Sequence, residues 1–440
     1  MIGCPDPPIE IADCDPGYLP CEDDQSECCE VECDEGYHLC GDDSTDCCID
    51  KADCPPGQLP CESDSTICCD IECPPGYVIG GVDSTECVPI ECQAGYYICG
   101  EDSNECCPEI TNHDFTWTVD VLGTWQGELK DVDIINENDI WVVGQISIGD
   151  SGEDDSTFNA AHWDGSDWEL IQVPIPFLGG EGSIIGFGTD PLRTVLAFET
   201  DDVWFSPGGP IMVHWDGEEY QFYVDDPEEV QDNCIEMWGT SSTNIYRVGY
   251  EGTIVHFNGT DFTPMESPTT VDLRDVWGDP SGEHIYAAAN DALLPTALLK
   301  LKNGTWRVMY QMDEFGVGPD TVSSFIRRVW TDDPNKVFVA SGAGIWECPK
   351  NTNGQGVYNY GGFSTPSYGF RGQTQGDLIR VGNRGEIFHY NGESWYEYTE
   401  LSNETDQLQN VDIYNNTVVA VGRRYINGIE RFALVIKGTR

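Results

Sequence analysis

The sequence predicts an all-β protein: a seven-bladed β-propeller over residues 110–440, preceded by a disulfide-rich repeat region over residues 1–109. Three observations carry this prediction. All 13 Trp and all 16 Phe fall at or after Phe115, whereas 19 of the 21 Cys fall at or before Cys107, so one part relies on cross-links and the other on a large core. Each part is internally repetitive, with a period of about 20 residues in the first and about 35 to 50 in the second. Asx-Gly dipeptides between β-branched and aromatic runs recur through the second part, and they supply the positive-φ residues that tight hairpins require.

The organising stretch of the second part is Glu236 to Phe262, EMWGTSSTNIYRVGYEGTIVHFNGTDF. Met237-Trp238 ends a short apolar strand, Ile245 to Gly249 reads as a second and Thr253 to Phe257 as a third. Asn258-Gly259 is a type I′ turn, and Phe262 begins a fourth strand. Seven copies follow this plan: Leu129 to Val173, Ser183 to Val224, the stretch just described, Leu273 to Tyr310, Phe325 to Tyr360, Ser364 to Thr399 and Leu408 to Lys437. Four short strands per copy at this spacing are the signature of a propeller. The seventh copy stops after three strands, and Asp114 to Asp120 is the segment expected to supply the fourth and close the ring.

The N-terminal repeat is C-x6-C-x6-C-C. Five units recur: Cys14, Cys21, Cys28 and Cys29; Cys33, Cys40, Cys47 and Cys48; Cys54, Cys61, Cys68 and Cys69; an incomplete unit with Cys73 and Cys87; and Cys92, Cys99, Cys106 and Cys107. The incomplete unit has Gly80 and Val88 where the second and fourth cysteines would stand. Losing those two together predicts first-to-third and second-to-fourth pairing within each unit, with pairing between units a remaining alternative. A zinc or thiolate cluster is the rival, disfavoured by a segment with one His (His38), one cation (Lys51) and many turn residues. Cys234 and Cys348 are expected to bridge within the second part, leaving Cys4 for lipidation or an intermolecular bond.

Charge bounds the partners. The formal net charge is −59; residues 1–109 carry 28 acidic groups against Lys51 alone, and residues 110–440 carry 51 against 19. A nucleic acid or an anionic membrane surface is therefore excluded as the general partner. No stretch approaches the length of a transmembrane span, and the apolar region of a signal peptide is missing. Together with the cysteine density, these features predict an exported protein in mature or trimmed form, extracellular or on a cell surface.

The motifs DVWG, IYxVG and G-x-I-x-H followed by an aromatic and Asx-Gly resemble the bacterial Ycf48-like and BNR-like propellers of secreted and surface proteins. The resemblance covers about three quarters of the chain and implies a scaffold or binding role. Some BNR propellers are sialidases, but the full Asp-box is absent; His162 to Trp168, HWDGSDW, is a partial echo. The cysteine units loosely resemble the opening of granulin-like hairpin ladders. Ile2-Gly3-Cys4 resembles the end of a bacterial lipobox, which implies an outer-membrane lipid anchor.

Candidate site residues are few. Gly149 to Thr157 holds Asp150, Glu153, Asp154 and Asp155, a candidate calcium loop whose rival reading is a solvated acidic loop. The segments Met312 to Asp320 and Asn351 to Tyr368 depart from the repeat and are candidates for specificity. His162, His214, His256 and His389 occupy one repeat position in four copies, which spreads them around a ring and favours structural hydrogen bonds over a metal site. Sequons stand at Asn258, Asn303, Asn403 and Asn415. No catalytic motif is present. The function expected is that of a non-enzymatic surface protein, its propeller held on a stiff acidic stalk and binding a protein or glycan. A structural subunit of an extracellular filament, capable of self-assembly, and a glycan hydrolase or lyase are the alternatives.

Overall fold

In the computed structural model the chain divides into two compact units, Met1–Cys107 and Pro108–Arg440. The residues described are the short strands between 18 and 108 together with residue 92, then 111–440 apart from 150–155, 226–233, 293, 314–321, 323, 334–335, 343, 350–357 and 364. In the first unit each cysteine repeat forms one antiparallel hairpin, from Tyr18–Pro20 with Cys28–Glu30 to Tyr96–Cys99 with Glu105–Pro108. Cys92 is disulfide-bonded.

The second unit is a propeller of seven four-stranded antiparallel sheets. The first strands of blades 1 to 6 are Trp125–Asn136, Thr194–Glu199, Cys234–Ser241, Leu273–Gly278, Ile326–Trp330 and Ser367–Thr374. Blade 7 opens with Asp406–Tyr414, and it packs on the first strands of blades 6 and 1, which shuts the ring around a central channel. The expected closure is present: Thr116–Leu122 pairs with the final strand Glu430–Thr439, in a register running from Thr116↔Thr439 to Leu122↔Ala433. It lies two residues later than the sequence suggests.

Blade 2 needs a correction. It opens at Thr194 rather than near Ser183, because Ile175–Leu178 and Ile184–Gly188 pair with each other as a separate hairpin. Its glycine-rich tip closes locally, with the Gly179 N–H donating to the Ser183 carbonyl at 2.7 Å, so the segment satisfies its backbone without joining a blade.

Tryptophans fill the seams between blades. Trp238 of blade 3 packs among Val276, Ala287 and Leu299 of blade 4, and Trp330 of blade 5 packs on Phe370 and Leu378 of blade 6. Trp141 likewise reaches Val203 and Phe205 of blade 2. These aromatic side chains carry the inter-blade core.

The repeated histidines are structural. His162, His214, His256 and His389 direct Nε2 at the residue that opens, or nearly opens, the second strand: Asp139 at 2.8 Å, Asp202 at 2.8 Å, Asn244 at 2.8 Å and Asp377 at 2.6 Å. In three blades the imidazole also lies beside the aromatic directly across the ladder, with centroids 4.6 Å apart for Trp141–His162, 4.2 Å for Trp204–His214 and 4.6 Å for Tyr246–His256. The sequon asparagines serve turns: Asn258 Oδ1 accepts from the Thr260 and Asp261 N–H groups, while Asn303 and Asn415 adopt φ of 52° and 51°.

The expected Cys234–Cys348 bridge does not form; both are free, buried thiols. Cys234 opens blade 3 and Cys348 lies in the third strand of blade 5, so a whole blade separates them and the short Cα separation of a disulfide is out of reach. Burial pushes the Cys348 thiol up to about 12 and raises that of Cys234, which leaves both protonated and inert.

Candidate binding site at the channel mouth

In six blades the first strand carries a β-bulge at the same end. The register skips Lys130 between Leu129 and Asp131, and in the same way skips Ile235, Arg274, Arg327, Tyr368 and Gln409. Blade 2 has its irregularity at the other end of its first strand. A bulge inserts a residue that opposes no partner and re-aims its side chain. Repeated around a ring, it directs one side chain per blade toward the mouth of the channel.

Five of the six skipped residues, Lys130, Ile235, Arg274, Arg327 and Gln409, line a depression of about 530 Å³, together with Arg193, Tyr250, Arg328 and Glu236. The sixth, Tyr368, supports Arg327, whose guanidinium carbon lies 4.3 Å from the ring centroid. No bulge residue is acidic, in a chain with 79 Asp and Glu. The depression as a whole sets five cations, Lys130, Arg193, Arg274, Arg327 and Arg328, against two carboxylates, Asp190 and Glu236.

Some of this charge is neutralised and some is not. Lys130 pairs with Glu128 at 2.8 Å, and Arg274 pairs with Asp272 at 2.6 Å. Arg328 forms the floor. Its Nη1 reaches Glu236 at 3.3 Å and Asp275 at 3.5 Å, while Nε donates to the Tyr368 carbonyl at 2.7 Å and Nη2 to the Gln409 carbonyl at 3.4 Å. One side chain thus braces four other blades across the channel. Among the described residues, Arg193 and Arg327 have no carboxylate partner. Arg193 donates to the Tyr250 hydroxyl at 3.4 Å, and Arg327 rests on Tyr368. Burial lowers the Arg327 pKa to about 10, with Arg328 and Arg274 adding repulsion and Tyr368 opposing them, so the group stays charged near neutrality and lacks a counter-ion.

Behind the floor the charge reverses. Arg371 holds Asp275 through two bonds of 2.9 and 3.0 Å, and its guanidinium covers Trp277 at 4.4 Å. An inner cavity of about 190 Å³ follows, lined by Asp131, Asp133, Glu236, Asp412, Trp238 and Trp277 among others. Its carboxylates fasten blades together, since Asp131 accepts from the Val195 N–H at 3.0 Å, Asp133 from Ala197 at 2.8 Å and Asp412 from Ile134 at 3.0 Å. Burial pushes the Glu236 pKa up to about 8, helped by Asp131 and Asp275 and opposed by Arg328 and Arg371; burial likewise pushes Asp412 up to about 6.

Sequence reasoning missed this site. The signal was a basic residue immediately before the D-V or R-V of the first strand, as in Lys130-Asp131-Val132, Arg274-Asp275-Val276 and Arg327-Arg328-Val329. Asp150, Glu153, Asp154 and Asp155 lie outside the described residues, and so do 314–320 of the segment from Met312 and 351–357 and 364 of that from Asn351 to Tyr368. Among the described residues no group of His, Cys, Asp and Glu is arranged to hold a metal ion. Cys4, Cys14, Cys21, Cys33, Cys40, Cys54, Cys61 and Cys73 also lie outside them, and the expected pairings of the remaining repeat cysteines rest on side chains that are not described.

No protein-family model matches the sequence, and no curated protein matches it. Solved structures do resemble it. A structure of YCF48 bound to D1 peptide has a TM-score of 0.54 at 13% identity, covering 76% of this chain and 98% of that one. YCF48 from Cyanidioschyzon merolae gives 0.51 at 12% identity, covering 74% and 98%. Virginiamycin B lyase from Staphylococcus aureus gives 0.51 at 10% identity, covering 73% and 99%. At these identities the likeness is one of fold, and the neighbours' functions differ.

Proposed function

We propose that this protein is a non-enzymatic binding scaffold at the cell exterior whose propeller captures an anionic group of a partner protein or glycan at the channel mouth. The depression supports this reading: three bulge cations, Lys130, Arg274 and Arg327, join Arg193 and Arg328 in its lining, and Arg193 and Arg327 have no carboxylate partner among the described residues. Such a site suits a carboxylate, and electrostatic focusing in a concave mouth makes its capture fast and salt-sensitive. The peptide-bound YCF48 structure supports a propeller of this shape acting as a peptide receptor. The disulfide-laddered unit serves in this reading as an acidic stalk, with Cys4 as its lipid anchor or intermolecular link, and the loop from Asp150 to Asp155 as an accessory calcium site.

Calorimetry with an oligoglutamate peptide and an oligogalacturonate tests the mouth. Binding of either probe at low salt is expected, together with a loss of at least about a hundredfold in the Arg193→Ala/Arg327→Ala variant, since a hydrogen bond to a charged group contributes about 1.5 to 3 kcal/mol. Equal affinity in the variant, or no binding of either probe, would overturn the reading. Turnover of the oligogalacturonate would instead favour a lyase or hydrolase.

A further inference from the structure

The segment from Thr111 to Phe115, which leads into the closing strand, is fastened to blades 6 and 7 by a set of polar bonds. The Thr111 N–H donates to the Asn391 carbonyl at 3.0 Å, Asn391 Nδ2 returns a bond to the Thr111 carbonyl at 3.0 Å, and the Tyr398 hydroxyl donates to the His113 carbonyl at 2.9 Å. At the centre His113 Nδ1 lies 2.9 Å from His389 Nδ1, and the His113 ring stacks on Tyr396. His389 is the one repeated histidine that meets Ile379 rather than an aromatic across the ladder, and Phe115 and His113 occupy its flank instead.

This geometry fixes the protons. Asp377 is buried and accepts from Arg440 as well as from His389 Nε2 at 2.6 Å; burial alone would raise its pKa, but those two partners lower it, so it is a carboxylate. His389 must then donate through Nε2. A neutral His389 offers Nδ1 only as an acceptor, and His113 must donate from its own Nδ1. His113 Nε2 is left bare, buried and without a hydrogen-bond partner. A further proton on that nitrogen would create a buried charged N–H with no acceptor. The groups facing His113 are His389 from the third strand of blade 6, Asp377 from the second, Tyr396 and Tyr398 from the fourth and its end, Arg440 from the end of blade 7, and Asp114 beside it.

We propose that the His113–His389 contact is an acid-sensitive latch, which holds segment 111–115 on blades 6 and 7 near neutral pH and releases it on acidification. Burial first, then His389 and Arg440, lower the His113 pKa, with Asp114 and Asp377 opposing. The sign follows from linkage. With the bound-state pKa below the ordinary value, the latch is strongest above about pH 6.5 and weakens as pH falls through that value, by up to about tenfold per unit until the bound-state pKa is reached.

Hydrogen exchange of the full chain, corrected for intrinsic rates, measures this between pH 8 and pH 5. Protection of peptides covering 111–115 is expected to fall in that window while other outer strands keep theirs. In His113→Asn, whose amide supplies a non-titrating donor, protection should be flat with pH. Undiminished protection of the wild-type segment at pH 5 would overturn the proposal whether or not the variant folds, as would a wild-type pH profile in a folded variant.

Discussion

At the residue scale, one position of the repeat performs the same task with different partners, and the differences can be tested. His256 faces Asn244 where its counterparts face aspartates, and burial lowers its pKa. Asn244→Asp places a carboxylate at that contact and should raise the His256 pKa, by about one unit or more. Titration of the imidazole resonances by NMR checks this, and an unchanged midpoint would show that the contact is not electrostatic. His214→Ala should cost about 1 to 3 kcal/mol in chemical denaturation, because it strips a bond from Asp202 and removes the ring stacked on Trp204.

At the scale of elements, the first strands carry both the site and the joints between blades, and burial distinguishes the two. Asp275 is inaccessible and held chiefly by Arg371, so Arg371→Ala leaves that buried carboxylate with only the longer Arg328 contact and a backbone N–H, and should destabilise the propeller by about 3 kcal/mol. Arg327→Ala removes a half-buried guanidinium from the surface of the mouth and should change the melting temperature little while weakening anion binding. Glu236 adds a pH dependence. Its pKa is raised in the folded state, so the folded protein holds the proton more tightly than the unfolded chain, and stability is lost as pH rises from about 4 toward about 8. Glu236→Gln should therefore melt higher than the wild type at pH 8 and lose that advantage at pH 4, by differential scanning calorimetry.

At the scale of the molecule, the blades were legible because local chemistry specifies them. Asn258-Gly259 and Asn391-Gly392 mark third-to-fourth strand turns, and the closing strand followed from counting strands. Each turn is a four-residue loop with positive φ at the glycine alone, rather than the type I′ turn expected at Asn258-Gly259. The mouth was not legible, since a bulge is a property of pairing: Arg274 and Arg327 read as ordinary strand residues until the register shows that nothing opposes them. The inner ion pair was hidden for the same reason, Arg371 and Asp275 lying 96 residues apart. The hairpin from Ile175 to Gly188 misled because its apolar runs resemble blade strands, and only its glycine-rich tip sets it apart. The Cys234–Cys348 bridge failed because the count of leftover cysteines carries no information about distance.

The closing strand has a consequence for how the protein is made. Thr118 bonds to Lys437 across 319 residues, so the segment from Thr116 to Leu122 leaves the ribosome long before its partner exists. Until then it is an unpaired strand, and the growing array of blades has an open seam at each end. Loop closure over that span makes the last step the slow one. A circular permutant that joins Arg440 to Asp114 and opens the chain between Glu266 and Ser267 converts the step into a local hairpin. Stopped-flow refolding of the permutant should be faster than that of the parent propeller, and its yield from dilute denaturant higher. Assembly of the ring, rather than of any blade, is where a nascent chain of this kind is exposed to misfolding.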